Sequence, residues 1–475
     1  MSKMDEFLRD IHTSIFFKWV LARRHPLYTV KIDPLDATCI CIDSAYAHSE
    51  VTFNAQNIIE MSVSNTVNDR VEFYLHFQMN TLKHTIELYE EMVDTILKIS
   101  TSPKFKVLLS CTSGATTGFF SRKLNEVAEM LGLDYIFNAV PYSRLFELGH
   151  QYDIILLAPQ IAYLKNKIQQ AFKYTRVLTI SSKVFAKYDC GRVLKMLEDV
   201  STDDVNNTNS EIPLKMRLGY TMHKKALVIS VIRDEGKVYI DYRLYDRNHT
   251  ILLDQGIIKT KISILDISDI LDTVLIAYPD IEMVGLSMPG IVNEGRLYLV
   301  QHGFDNFDVI SHLSMKYPQK FVLCNDVNCI VTGYYASQTK YQNISFIFQP
   351  KAGYAAGIGS IIHGQLVRGY QNVAGEVQYL PMDLPSTKQE MSKTFDGSLE
   401  LMAKTLVSLI SLLGPELIVV SCLLISDIEK LKEEMKKYIP SQYIPEIIFI
   451  DSLKEYNLLG QLILCIQEDL KEKNH

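Results

Sequence analysis

Residues 106–117 read Lys106-Val107-Leu108-Leu109-Ser110-Cys111-Thr112-Ser113-Gly114-Ala115-Thr116-Thr117. The apolar run predicts a buried strand that ends at Cys111, and a helical pattern opens near Phe119. Backbone N–H groups of a small-residue loop before a helix form an anion site, and the same positive field lowers the pKa of a thiol. We therefore predict that Cys111 is a thiolate beside a phosphate-binding loop, whose members are Thr112, Ser113, Gly114, Ala115, Thr116 and Thr117.

Two other interpretations of Cys111 compete with this one. A free cysteine is most often a small buried apolar residue, but the carboxyl end of a strand is where ligands of open α/β sheets bind. A phosphatase of the Cys-x5-Arg type would need an arginine where this chain has Thr117, to clamp phosphate with paired hydrogen bonds. Carrying a phosphoryl group therefore suits the loop better than hydrolysing a phosphate ester.

From about residue 104 to residue 200 the chain resembles the enzyme IIB domain of the lactose/cellobiose/chitobiose branch of the bacterial phosphotransferase system. Cys111 matches that family's phosphorylated cysteine. Residues 152–160 match its second motif, a buried strand ending in a Gly-Pro-Gln-like turn, with Ala158 in place of the glycine. The resemblance implies a four-stranded, mostly parallel sheet with flanking helices, and phosphate received from a phosphohistidine on a IIA partner. Whether a IIC permease is also a partner stays open.

Length and composition exclude several other classes of protein. A chain of 475 residues suggests about three domains, and its 47% apolar and 22% charged content is ordinary for a globular protein. A net charge of −7 gives no electrostatic reason to expect a nucleic-acid partner. The sequence shows no apolar run of membrane-spanning length, no signal-peptide core and, with eight scattered cysteines, no disulfide framework. We expect a cytoplasmic protein.

Residues 1–100 predict a small α+β module of unknown role. An amphipathic N-terminal stretch precedes four strand-like runs and a helix over about 81–97, which favours a β-meander with one covering helix. Such a module can serve interaction or dimerisation, so a homo-oligomer stays open. Cys39 and Cys41 alternate with apolar neighbours, and His76 and His84 lack ligand-spaced partners, so neither pair predicts a metal site.

A polar linker over residues 201–213 precedes a third block, 214–475, in which strand and helix patterns alternate. Three polar clusters follow apolar strands there: residues 285–290, 321–328 and 374–376. Asn325 and Asp326 at a strand end place an amide and a carboxylate at a cleft, suited to vicinal hydroxyls and to proton abstraction from one of them. Asp326 alone would also suit a helix N-cap. Together the clusters favour a sugar site.

In order and spacing these clusters resemble the ROK family of sugar kinases and sugar-responsive repressors, over about residues 226–470. Asn325 and Asp326 match the family's substrate-binding asparagine and catalytic aspartate, Glu376 its sugar-binding glutamate, and Gly290 its Pro-Gly turn. The resemblance implies a two-lobed, actin-like (ribonuclease H-like) ATPase-type fold. The chain as a whole is then an α/β multidomain protein.

The departures from the ROK pattern fall in the segments that, by the resemblance, would bind the nucleotide. The phosphate loop Asp-x-Gly-Gly-Thr should lie where residues 230–236 read Ser-Val-Ile-Arg-Asp-Glu-Gly, and the second phosphate loop, residues 353–359, is altered. Residues 419–422 read Val-Val-Ser-Cys in place of a Gly-Gly pair, and residues 377–379 replace the start of a zinc cluster. We therefore expect a domain that senses a sugar or sugar phosphate, with weak or absent use of ATP and Mg²⁺, and no zinc. A true ROK sugar kinase fused to IIB, and a non-enzymatic transcriptional regulator, remain as alternatives.

Overall fold

The computed structural model describes residues 3–66, 70–101, 105–131, 133–172, 175–200, 223–234, 236–350, 356–425, 427–450 and 452–473. The predicted linker, residues 201–213, lies outside these ranges, and so does the start of the second phosphate loop, residues 353–355. Within the described ranges, no helix combines the length and the apolar character that a bilayer crossing requires.

The first block is a helix, a five-stranded antiparallel meander and a covering helix. Alternation along its strands sends Ile40 and Ile42 into the core, and the hydroxyl of Thr81 caps the second helix by accepting from the His84 N–H. The predicted strands and covering helix are therefore present. The elements are α1 (Lys3–Ala22), β1 (Tyr28–Ile32), β2 (Cys39–Ser44), β3 (Ala47–Phe53), β4 (Ile58–Asn65), β5 (Arg70–Gln78) and α2 (Leu82–Ser100).

The second block is a four-stranded parallel sheet in the order β7-β6-β8-β9, as predicted, with helices around it. The two central strands, β6 and β8, are largely continuous apolar runs because helices cover both faces. One boundary was wrong: the first helix of this block begins at Ala115, a turn before the predicted start near Phe119, because Gly114 ends the loop early. The elements are β6 (Phe105–Cys111), α3 (Ala115–Met130), β7 (Tyr135–Pro141), α4 (Tyr142–Leu148), β8 (Ile154–Leu157), α5 (Lys165–Ala171), β9 (Arg176–Thr179), α6 (Ser182–Lys187) and α7 (Cys190–Val200).

The third block consists of two lobes with the same strand order, three antiparallel strands followed by two parallel ones. The first lobe contains β10 (Ala226–Asp234), β11 (Lys237–Tyr245), β12 (Ile251–Lys259), α8 (Ile264–Ala277), β13 (Met283–Met288), β14 (Ile291–Asn293), β15 (Arg296–Leu299), β16 (Phe304–Asp308), α9 (Val309–Ser314), β17 (Lys320–Asn325) and α10 (Asp326–Ser337). The second contains β18 (Ile344–Gln349), β19 (Gly357–Ile362), β20 (Gln365–Leu366), α11 (Lys388–Met391), α12 (Phe395–Leu413), β21 (Leu417–Cys422), α13 (Ile428–Met435), β22 (Glu446–Phe449) and α14 (Lys454–Lys473).

The two lobe sheets run β12-β11-β10-β13-β17 and β20-β19-β18-β21-β22, and β14–β16 form a separate small sheet. This repeated order is the two-lobed arrangement that the sequence predicts. Ligands of such sheets bind beyond the carboxyl ends of the parallel strands. The second parallel strand of the first lobe, β17, ends at Asn325 and so delivers the predicted sugar-site residues to that edge.

The meander of the first block continues the sheet of the first lobe. Strand β5 pairs antiparallel with β12, with Tyr74 opposite Ile258, and the two parts form one ten-stranded sheet. Their apolar side chains merge into one buried cluster. Nothing in the sequence pattern had indicated this junction, because it joins strands separated by the whole second block.

Polar side chains bind the two parts together across this junction. The ring of His76 hydrogen-bonds the Tyr242 hydroxyl, and His84 Nε2 lies 2.7 Å from Asp269 Oδ2. Glu91 of α2 accepts hydrogen bonds from the N–H and the hydroxyl of Thr260, both at 2.8 Å. The two histidines that the sequence left without metal partners therefore hold the junction.

We predict that Glu91→Ala lowers the free energy of unfolding by about 3 kcal/mol. The change leaves the N–H groups of Thr260 and Lys261 and the buried Lys259 ammonium, whose Nζ lies 3.4 Å from the Glu91 carboxylate, without this acceptor. The matched control is Glu87→Ala, one turn earlier on α2, whose exposed pair with Lys83 spans 3.9 Å and contributes little. Urea unfolding followed by the fluorescence of Trp19, the single tryptophan, measures both; equal effects would contradict the prediction.

Candidate functional site

Cys111 is the last residue of β6, and the loop after it turns sharply into α3. Gly114 has φ of +80°, the left-handed region that favours glycine, and a Cβ atom there would lie 3.0 Å from the Pro141 nitrogen. The glycine therefore lets the start of α3 pack against the end of β7. This close fit places the first N–H groups of the loop and helix around the sulfur.

The Cys111 sulfur is surrounded by hydrogen-bond donors. Its Sγ accepts from the Gly114 N–H at 3.1 Å and lies 3.2 Å from Thr117 Oγ1. Burial alone would raise the pKa of this thiol, but the Thr117 hydroxyl and the N–H groups of Thr117, Gly114 and Ser113 outweigh burial and lower the pKa. Cys111 is 4% exposed, so the thiol is buried and yet ionises more readily than an ordinary cysteine.

The predicted loop residues do not all serve the sulfur alike. Thr112 and Ser113 are exposed, Thr116 is half-buried and Ala115 opens α3. Thr117 is fully buried, and its hydroxyl lies 3.1 Å from the Gly114 carbonyl, to which it can donate. When the cysteine is ionised, that hydroxyl can instead donate to sulfur. Thr117, in the place of the arginine of a phosphatase loop, is thus a direct neighbour of the thiol.

The second predicted motif lies at the same edge of the sheet. Strand β8 is adjacent to β6, and the Ala158 N–H donates to the Ser110 carbonyl at 2.9 Å. The Pro159-Gln160 turn that follows opens a short 3₁₀ helix beside the Cys111 loop. The two motifs, some forty residues apart in the sequence, therefore form one site.

Helix α4 of the second block, which follows the carboxyl end of β7, lies within electrostatic range of the second lobe, whereas the other edge of the block contacts the first block. On α4, the pKa of the Arg144 guanidinium is raised mainly by Glu147, 2.8 Å away, and also by Asp396. The pKa of Glu147 is lowered by Arg144 and also by Lys430. At the opposite edge, Tyr46 of the first block hydrogen-bonds Asp134. The second block thus lies between the first block and the second lobe.

The predicted sugar-site residues line one cavity of about 250 Å³ between the two lobes. Asn325 caps α10 by accepting from the Asn328 N–H at 3.1 Å, and its amide donates to the Gly290 carbonyl at 2.8 Å. Gly290 has φ of +99°, and a Cβ there would lie 2.6 Å from the Tyr298 carbonyl oxygen. Glu376 lies across the cavity, on the second lobe. All four predicted residues, Gly290, Asn325, Asp326 and Glu376, therefore meet.

Both carboxyl groups of this cavity hold protons more tightly than usual. Burial raises the pKa of Asp326 to about 6, against the lowering effect of the Val327 N–H and of Arg233. Burial also raises the pKa of Glu376 to about 7, with a smaller contribution from the charge of Asp326. Gln378 donates to Glu376 Oε2 at 3.0 Å. The cavity can therefore accept hydrogen bonds from hydroxyls and take up a proton near neutral pH.

Several cavity residues escaped the sequence analysis. Arg233, near the end of β10, lines the cavity together with Gln301, Gln378 and Tyr379. The sequence signal for Arg233 was its position, in the segment where the ROK pattern has its glycine phosphate loop. The segment that replaces the Gly-Gly pair is strand β21, where Val419 and Val420 are fully buried in the sheet.

Across the described ranges, one group of three potential metal ligands lies close enough together to share an ion. Asp33, Cys39 and Cys41 form it, at the edge of the first block. The cysteines lie on the face of β2 opposite Ile40 and Ile42, and burial raises the pKa of Cys41 to about 11.

Comparisons with known proteins match these two sites to two families. Residues 106–195 match the model of the PTS system lactose/cellobiose-specific IIB subunit, and residues 232–392 match that of the ROK family. The oligo-beta-mannoside-specific EIIB component of Bacillus subtilis is 32% identical over 65 residues, which cover 14% of this chain and 63% of that protein, less than two thirds of its length. The chain therefore carries a IIB-type segment followed by a ROK-type segment.

Solved structures of ROK proteins are similar to the C-terminal half. A ROK family glucokinase from Streptomyces griseus, in complex with glucose and AMPPNP, is 16% identical, with 51% of this chain and 99% of that chain covered and a TM-score of 0.42. A ROK family transcriptional regulator, a homologue of the E. coli Mlc protein, is 12% identical, with 52% and 80% covered and a TM-score of 0.41.

We predict that Thr117→Val raises the pKa of the Cys111 thiol, which in the wild type lies below its ordinary value of 9.0. The change removes a hydroxyl that donates to the thiolate and keeps a β-branched side chain of similar shape. The pH dependence of iodoacetamide modification, resolved by peptide mass analysis, measures this pKa. Thr116→Val, on the half-buried neighbour, is the control, and an unchanged profile in Thr117→Val would contradict the prediction.

Proposed function

We propose that this chain is a cytoplasmic phosphotransferase-system protein in which Cys111 carries a phosphoryl group and the ROK-type lobes act as a sugar sensor. The convergence of one hydroxyl and several N–H groups on a single sulfur carries the proposal. The match of residues 106–195 to the IIB family supports it. The donor in this proposal is the phosphohistidine of a IIA-type protein.

In the proposed transfer, the Cys111 thiolate attacks the phosphorus of the partner's phosphoimidazole. The S–P bond forms as the N–P bond breaks, and the departing imidazole keeps its electron pair and the proton on its other nitrogen. Backbone N–H groups at the start of α3 can stabilise the phosphoryl oxygens in the loop, as they stabilise the thiolate. The phosphoryl group then passes to a sugar hydroxyl, directly or on a IIC permease.

The ROK-type lobes supply the sugar-binding side of the proposal. Asn325, Asp326 and Glu376 line a cavity of about 250 Å³, which is large enough for a monosaccharide. These groups suit the vicinal hydroxyls of a sugar, which donate to carboxylates and accept from amides. We propose that this site reports sugar availability to the phosphorelay.

The position of the second block gives sugar binding a route to the phosphorelay. Side chains of α4, at the same end of the sheet as Cys111, lie within electrostatic range of Asp396, Asp427 and Lys430 on the second lobe. A phosphoryl group adds about −1.5 to −2 charges at neutral pH, which Asp396 and Asp427 would repel. Closing the lobes on a sugar moves these charges relative to Cys111, so the two events are coupled by electrostatics.

Active sugar phosphorylation is the second candidate function. Asp326 favours it, because a carboxylate with a pKa of about 6 at the sugar-binding cavity suits a general base. Sugar-dependent ATP hydrolysis that Asp326→Asn abolishes would assign the kinase function. The absence of the glycines that bind nucleotide phosphates in the ROK pattern favours a sensor over a kinase.

We predict that incubation with phosphoenolpyruvate, the general phosphotransferase proteins and a lactose-type IIA adds the mass of one phosphoryl group to the wild-type chain and none to Cys111→Ser. Intact-mass analysis reads the result. Cys190→Ser, at the half-buried cysteine of the same block, is the matched control and should still be phosphorylated. Retention of the added mass in Cys111→Ser would refute the proposed carrier role.

We also predict that affinity for an unphosphorylated monosaccharide rises as the pH increases from below 6 to above 7. Both carboxyl groups have raised pKa values, about 6 for Asp326 and about 7 for Glu376, and each accepts sugar hydroxyls fully only when ionised. Glu376→Gln should remove the upper part of this rise, whereas Glu390→Gln, at an exposed glutamate of the same lobe, should not. Calorimetry across this pH interval makes the measurement, and a flat wild-type profile would count against carboxylate recognition.

A further inference from the structure

We propose that the ligand of the ROK-type cavity is a sugar phosphate, and that Arg233 binds its phosphate group. The inference rests on the proposed sugar-binding function and names the ligand class of that same site. In this proposal Arg233, which stands in the segment where the ROK pattern has its glycine phosphate loop, takes part in ligand binding.

Arg233 lies where the first lobe contributes to the cavity. Strand β10 pairs with β11, with Arg233 opposite Val238, and runs parallel to β13 at the centre of the lobe sheet. Its side chain lines the same cavity as Asp326 and Gln301. A guanidinium presents a planar fork of N–H donors that matches two oxygens of a phosphate.

The charges around the cavity favour an anion next to Arg233. Among the described residues that line it, Arg233 alone carries a permanent positive charge, opposite the carboxyl groups of Asp326 and Glu376. His302, one residue beyond Gln301, has its pKa lowered, first by burial and then by the charge of Arg233. A phosphate bound in the cavity would offset the charge of Arg233, whose guanidinium can donate hydrogen bonds to it.

A sugar phosphate fits this cavity better than a nucleotide phosphate. Asp326 is the candidate base for a sugar hydroxyl in this cavity, and Arg233 is near enough to lower its pKa. The cation therefore offsets the repulsion between that carboxylate and a phosphate on the same hydroxyl. A cavity of about 250 Å³ is small for a nucleotide.

The proposed ligand is also the product class of the proposed phosphotransfer. A reaction that moves a phosphoryl group from Cys111 to a sugar hydroxyl supplies a sugar phosphate. The cavity would then respond to the product of transport rather than to its substrate. Accumulated product bound in the cavity between the lobes would provide feedback on the relay.

The test is calorimetric titration of the full chain with glucose, mannose, N-acetylglucosamine and their 6-phosphates. The wild type should bind at least one 6-phosphate about tenfold to a hundredfold more tightly than its parent sugar. Arg233→Met, which keeps an unbranched side chain without the charge, should lose that difference and keep parent-sugar binding. Arg233→Lys should restore part of it. Glu376→Gln is the control that weakens sugar and 6-phosphate alike.

The possible results distinguish failure of the proposed phosphate site from failure of the proposed sugar sensor. Equal affinity of the wild type for sugars and 6-phosphates overturns the phosphate site and leaves the sugar sensor standing. Absence of binding to every probe overturns the sensor and the inference together. Binding of ATP or inorganic phosphate that depends on Arg233, without preference for a 6-phosphate, overturns the inference in favour of a nucleotide or simple anion site. Unchanged thermal unfolding of Arg233→Met verifies that the variant is folded.

Discussion

The pairing of β5 with β12 is the constraint on which the rest of the structure depends. It joins two antiparallel meanders, far apart in the sequence, into one sheet with one apolar core. Burying ionic groups there is tolerable only because each has a partner: Lys259 lies between Asp266 and Glu91, and His84 contacts Asp269. Since the first lobe shares this sheet, β10 and Arg233 belong to the same folded body as the first block.

The two proposed sites use burial in opposite ways. At Cys111 the backbone supplies donors, so an anion is stabilised within a nearly closed pocket and the pKa of the thiol falls. At Asp326 and Glu376 fewer donors meet the carboxylates, so burial dominates and their pKa values rise towards neutrality. The first arrangement suits a group that holds negative charge through a transfer. The second suits groups that exchange protons with a ligand near physiological pH.

Local patterns in the sequence predicted most of both sites, and distant contacts were out of reach. The Cys111 loop was predictable because its strand, glycine and helix are contiguous, and Asn325, Asp326 and Glu376 because polar residues at strand ends converge. Arg233 was visible as a departure from a pattern, but its neighbours in space, Gln301 and His302, follow another strand. The junction of β5 with β12 could not be predicted, since edge strands carry no sequence mark of the edge they join.

The second block is inserted into a single folded body. Its first strand follows α2, and the chain returns after α7 to β10, which shares its sheet with the first block. Because the second block is attached at both of its ends, it can move through a smaller volume than a domain attached at one end. Its effective concentration at the surface of the rest of the protein therefore stays high. Deleting residues 1–100 would remove β1–β5 from the shared sheet and so would disrupt the fold of the first lobe. The topology instead permits deletion of the second block, with the segments on either side of it rejoined by a short linker.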